Sequence, residues 1–214
     1  MNTIQTLAIS ALPIIFAITL HEAAHGYAAR HFGDPTAWKL GRISLNPLRH
    51  IDLVGTLIVP GVILLLSGGG MLFGWAKPVP VDFGKLRRPK QDMLWVAAAG
   101  PAANLVMALA WALLFKAVLG FPETLYSEAL REMAKVGIRI NGVLMLLNLL
   151  PLLPLDGGRI VVSLLPPRAA WQFSQLERWG LPILLALLFL GGLDRILRPL
   201  LGVYSALLTS LFGF

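Results

Sequence analysis

Ile18-Thr19-Leu20-His21-Glu22-Ala23-Ala24-His25-Gly26 decides how the chain is read, because it places an HExxH inside an apolar run. Residues 3–29 are long enough to cross a bilayer as one helix, with Pro13 as a candidate kink. On a helix, positions i and i+4 share a face, so His21 and His25 can offer neutral imidazole nitrogens to one Zn2+. Glu22, beside the first ligand, is the residue type and position of a general base toward water. Two satisfied core histidines are the bland alternative. The apolar setting weighs against it, since an ionisable group such as Asp within a span costs about 2.5–3.5 kcal/mol and so marks function.

The composition agrees with that setting. Of 214 residues, 57% are hydrophobic and 14% charged, against about 25% charged in soluble domains; the mean hydropathy is +0.74. The net charge is +7. Its basic residues cluster in short stretches between apolar runs, which suits topology and contact with the anionic lipid bilayer, not nucleic acid. With no cysteine, disulfides, thiolate catalysis and thiolate metal ligands are excluded. Residues 1–20 carry no charged side chain, so they read as the start of a retained span and not as a cleavable signal peptide.

Further apolar segments cover residues 51–66, 93–119, 140–156 and 181–214, the last interrupted by Asp194, Arg195, Arg198 and Pro199. The fold expected is an all-α polytopic membrane protein with about five to six transmembrane or re-entrant segments. A short extended or β segment is expected near residues 71–83. One domain is expected over 1–214, with a catalytic core at about 1–165 and C-terminal apolar helices at about 179–214. The loop at 120–139 has mixed charge. Loops 30–50 and 77–90 are both basic, and the positive-inside rule puts both in the cytoplasm. One simple span between them cannot achieve that, so residues 51–81 read better as a re-entrant excursion.

A catalytic zinc site needs a third protein ligand and an open position. His31, His50, Asp34, Asp52 and Asp156 are the candidates. Asp156 stands out, between Leu149-Leu150-Pro151-Leu152-Leu153-Pro154-Leu155 and Gly157-Gly158. Prolines and glycines permit irregular backbone that aims a side chain at a neighbouring helix. Its other reading is an N-cap for a helix beginning near Gly157. Gly100 and Pro101 read as the start of the third helix, with Asn104 bonding across helices or meeting substrate. His50 and Asp52 are either a supporting pair at the metal or a loop anchor, and His31 and Asp34 read as ordinary loop residues. In Lys77-Pro78-Val79-Pro80-Val81, the prolines remove donors from one strand edge while Val79 and Val81 keep theirs on the other. That open edge would pair with an unwound substrate or with residues 71–75 in a hairpin.

Three motifs in order resemble the site-2 protease family of intramembrane metalloproteases. They are His21-Glu22-Ala23-Ala24-His25, Ala99-Gly100-Pro101-Ala102-Ala103-Asn104, and Asn148 through Pro151, Pro154, Leu155, Asp156, Gly157 and Gly158. Asn46-Pro47-Leu48-Arg49-His50-Ile51-Asp52 and Phe73-Gly74-Trp75-Ala76-Lys77-Pro78-Val79-Pro80-Val81 resemble its compact prokaryotic form, which lacks PDZ and CBS domains. Leu53 and Asp82 replace the proline and asparagine of that subgroup. The resemblance implies one Zn2+ per chain, Asp156 as its third ligand and Asn148 as a helper near the reacting carbonyl. It implies a transmembrane protein as substrate and a multi-pass location in a prokaryotic plasma membrane. The rival classes are a membrane ion or metal transporter and a non-catalytic scaffold derived from such a protease.

Overall fold

The computed structural model describes residues 3–66, 74 and 76–214. Nine α-helices account for most of them: α1 Thr3–His31, α2 Thr36–Lys39, α3 Val59–Leu66, α4 Pro89–Leu119, α5 Leu125–Asn148, α6 Asp156–Leu164, α7 Pro167–Ser174, α8 Glu177–Phe189 and α9 Gly192–Phe212. No strand occurs among the described residues. Two helices are long and apolar enough to cross a membrane, Ala8–His31 within α1 and Pro89–Leu119. The pair α8 and α9, bent by 79°, adds a third if it counts as one span. The described residues thus hold two to three candidate spans, and the expected five to six transmembrane or re-entrant segments are not confirmed.

The core is formed by α1, α4, α5 and α6. α4 packs against α1, α5 and α6, and α1 also packs against α5. Small residues permit the close approach, with Ala17, Ala29, Ala97, Ala108 and Ala112 all buried at these faces. The outer faces are apolar as well: Val106, Leu113, Val203, Leu207 and Leu211 are exposed. Such a surface suits lipid as solvent and is unfavourable in water.

α4 starts at Pro89, whose missing N–H is no loss in a first turn. Gly100 and Pro101 consequently lie in mid-helix and do not start it, contrary to the sequence expectation. α5 also begins earlier than the sequence suggests. Thr124 and Ser127 form a reciprocal capping box, and Lys135 pairs with Glu132 at 2.7 Å. These local bonds make residues 125–139 helical where charge alone suggested a loop. α9 returns to the core, where Tyr204, Leu208 and Phe212 pack on Ala108 and Ala112.

The described ends of the 51–76 segment meet at His50 and Lys77. The N–H of Lys77 donates to the His50 carbonyl at 2.8 Å. Between them run a π-helical turn, Leu53–Ile58, and α3. Gly74 lies against Gly55 and Pro60, so the returning chain passes beside the outgoing one. Residues 76–82 carry no helix and no strand pairing. Their suggested hairpin with residues 71–75 falls largely outside the described residues.

Candidate metal centre

α1 presents His21 and His25 one turn apart toward α4 and α6. Each ring has its Nδ1 against an oxygen: Asn104 Oδ1 at 2.6 Å for His21 and the Val96 carbonyl at 2.7 Å for His25. A carbonyl oxygen only accepts, so each Nδ1 carries the hydrogen and each Nε2 of the neutral ring is a bare lone pair. These two Nε2 atoms face each other at 3.2 Å. Asp156, the first residue of α6, joins them. Its Oδ2 is 3.3 Å from His21 Nε2 and its Oδ1 3.3 Å from His25 Nε2.

Lone pairs of two nitrogens and a carboxylate at this distance repel unless a proton or a metal cation lies between them. The spacing fits a metal cation: bonds of about 2.0–2.1 Å to tetrahedral Zn2+ separate its ligands by about 3.3 Å. Asp156 Oδ2 is buried with no hydrogen-bond partner among the described residues, a costly state that a metal bond would relieve. Gly100 completes the cradle. A Cβ there would fall 2.6 Å from His21 Cε1 and 2.7 Å from His21 Nε2, and closer still to His25 Nε2. The three side chains therefore fit a zinc ion, and they are the only His, Asp or Glu cluster with this potential among the described residues.

Asp156 is not an N-cap; that position belongs to Leu155, and Asp156 opens the helix. A carboxylate at a helix N-terminus is favoured by the backbone dipoles. Glu22, next to His21, accepts from the backbone N–H of Val79 through Oε2 at 2.8 Å. The donor edge expected to be open to substrate is thus engaged within the chain at Lys77 and Val79. The Arg42 guanidinium holds the same strap by the carbonyls of Lys77 (3.1 Å) and Pro78 (3.3 Å).

The other candidates divide. Asn148 ends α5 and donates one amide hydrogen to the Leu144 carbonyl at 3.0 Å. His50 Nε2 bonds the Ser44 carbonyl at 2.8 Å, and Asp52 caps the following turn through Gly55 N–H at 2.6 Å. Both anchor the loop, and neither joins the His21–His25–Asp156 cluster. His31 ends α1. Asp34 is more than a loop residue: fully buried, it accepts from Thr36 N–H at 2.9 Å and Asp82 N–H at 2.7 Å. Sequence reading missed Asn141, buried in α5 and bonded to Asn104 at 2.9 Å. An asparagine within an apolar stretch was the available signal.

A candidate metal-ligand cluster embedded among apolar helices suits a membrane-embedded metalloprotease, and comparison with known proteins gives that class. The chain belongs to peptidase family M50, the site-2 protease family, whose model matches residues 9–191. It is 35% identical over 205 residues to "Putative zinc metalloprotease YwhC" of Bacillus subtilis, covering 94% of this chain and 90% of that one. "Putative zinc metalloprotease Rip2" of Mycolicibacterium smegmatis is 30% identical over 185 residues, covering 85% and 66%. The Rip2 of Mycobacterium tuberculosis H37Rv is 28% identical over 196 residues, covering 87% and 71%. No solved structure gives a significant match.

Proposed function

We propose that this chain hydrolyses peptide bonds in or near transmembrane segments of other membrane proteins, with one Zn2+ held by His21, His25 and Asp156. The observation that carries the reading is the convergence of one possible ligand atom each from His21, His25 and Asp156 within 4.8 Å of one another, on helices of a chain in family M50. Zinc, when bound, supplies Lewis acidity that makes water a nucleophile at neutral pH and polarises a carbonyl. Glu22 takes the proton from the attacking water and returns it to the leaving amine as the C–N bond breaks. Val79 fixes one carboxylate oxygen of Glu22, leaving the other for the proton. The free amide hydrogen of Asn148 is the one available to a substrate carbonyl.

Lys77 bonding back to His50 supports a re-entrant path for residues 51–76, with both basic loops on the cytoplasmic side of a prokaryotic plasma membrane. Packing of α9 on α4 and α5 supports one domain over the whole chain. An ion pathway would string ionisable groups along its depth, whereas these ligands gather at one point.

The test is zinc stoichiometry and cleavage of a model transmembrane substrate, measured together. His21→Ala, His25→Ala and Asp156→Ala should lose zinc and activity, and Glu22→Gln should keep zinc and lose activity. Full zinc occupancy in the three ligand variants, or full cleavage by Glu22→Gln, would refute the assignment.

A further inference from the structure

Asn104 faces His21 with its oxygen, and that orientation is not self-evident. A carboxamide turned end for end fills the same space. Its NH2 would then meet His21 Nδ1, favour the tautomer protonated on Nε2, and close the ring as a ligand. Something must hold the amide the right way round.

We propose that Asn141 is a positioning residue for the metal centre, fixing the tautomer of His21 through the amide of Asn104. The relay has a direction because it ends on backbone carbonyls, which only accept. Asn141 Nδ2 donates to the Gly137 carbonyl of its own helix at 2.9 Å, which turns Asn141 Oδ1 toward Asn104. Asn104 Nδ2 donates to that oxygen at 2.9 Å and to the Ala17 carbonyl at 3.2 Å. With both donors placed, Asn104 Oδ1 is left for His21 Nδ1–H at 2.6 Å. Both asparagines are 0% exposed, so water cannot substitute for a missing partner and a reversed amide would leave buried groups unpaired. Three helices, α1, α4 and α5, thereby set the state of one ring nitrogen. His25 needs no such relay, because its Nδ1 meets a main-chain carbonyl directly.

The inference rests on His21 being a ligand, yet its central claim can be read without metal. In metal-free protein labelled with 15N-histidine, the His21 shifts should report the Nδ1–H tautomer. Asn141→Leu, which removes one of the two acceptors of the Asn104 amide and leaves only the longer bond to the Ala17 carbonyl, should move population to Nε2–H. It should also weaken zinc binding by roughly 10–100-fold, the range for loss of such outer partners. If that variant does not fold, Asn141→Ala is read in the same way. Asn141→Asp should rescue both readouts, since a buried carboxylic acid is held neutral. It then donates to Gly137 and accepts from Asn104 as the amide does. An unchanged His21 tautomer and zinc affinity in Asn141→Leu, with only a lowered melting temperature, would reduce Asn141 to a packing residue and overturn the proposal. A wild-type protein that binds no zinc would instead overturn the metal assignment, while the tautomer still decides the relay.

Discussion

The backbone N–H of Val79 donates to the carboxylate of Glu22 at 2.8 Å, across 57 residues of sequence. A hydrogen bond to a charged acceptor contributes about 1.5–3 kcal/mol and restricts rotation of the carboxylate proposed as the base. Val79→Pro removes the donor while keeping an extended-compatible residue. Cleavage should fall about 10–100-fold, the scale of a misplaced catalytic group, at unchanged zinc content. Val79→Ala keeps the N–H and should stay near wild type. Equal rates in both variants would show that the contact does not position Glu22.

Gly100 leaves the space that the two histidine rings occupy. Gly100→Ala suits the helix but puts a methyl 2.6–2.7 Å from His21 atoms. Either the rings or α4 must shift. Zinc affinity should drop by roughly tenfold or more, with a stability loss of about 1–3 kcal/mol from overpacking. Calorimetric zinc titration and thermal unfolding in detergent separate the two effects.

Asp34 ties the start of α2 to the strap at Asp82. Asp34→Ala leaves two backbone N–H groups without their acceptor, at about 1–3 kcal/mol for each that stays buried and unpaired. Limited proteolysis should find residues 76–82 more accessible than in wild type, and the melting temperature should fall. Asp34→Asn keeps one acceptor and should lie between the two.

Tyr204 closes α9 onto α5 by donating to the Ile138 carbonyl at 2.8 Å, with its ring over Gly142. Tyr204→Phe should cost about 0.5–1.5 kcal/mol. Gly142→Ala should cost about 1–3 kcal/mol, because its Cβ would sit 2.5 Å from the ring edge. Combined with Tyr204→Ala, Gly142→Ala should cost less than alone. A double-mutant cycle with no coupling would contradict this packing.

Much of the site was legible in the chain. HExxH fixes its own geometry because i and i+4 share a helical face, and Asp156 was visible as a carboxylate closing an apolar run. Element boundaries were less legible. The Thr124–Ser127 box begins a helix across charged residues, and Gly100-Pro101 reads as a helix start although α4 runs straight through it. Nothing local distinguishes a mid-helix proline tolerated by neighbouring helices from one that opens a helix.

By itself, the sequence determined the apolar setting, the helical class and the candidate ligand types, because hydrophobic periodicity and i, i+4 spacing act within one segment. The tertiary structure alone decided which atoms meet. It set Asp156 3.3 Å from both His21 and His25, turned the Val79 N–H inward onto Glu22, and joined Asn141 to His21 through Asn104. Each of these contacts links residues between 37 and 135 positions apart, and each depends on separate segments approaching closely enough for single polar contacts to choose an orientation. No pattern within one segment encodes that choice.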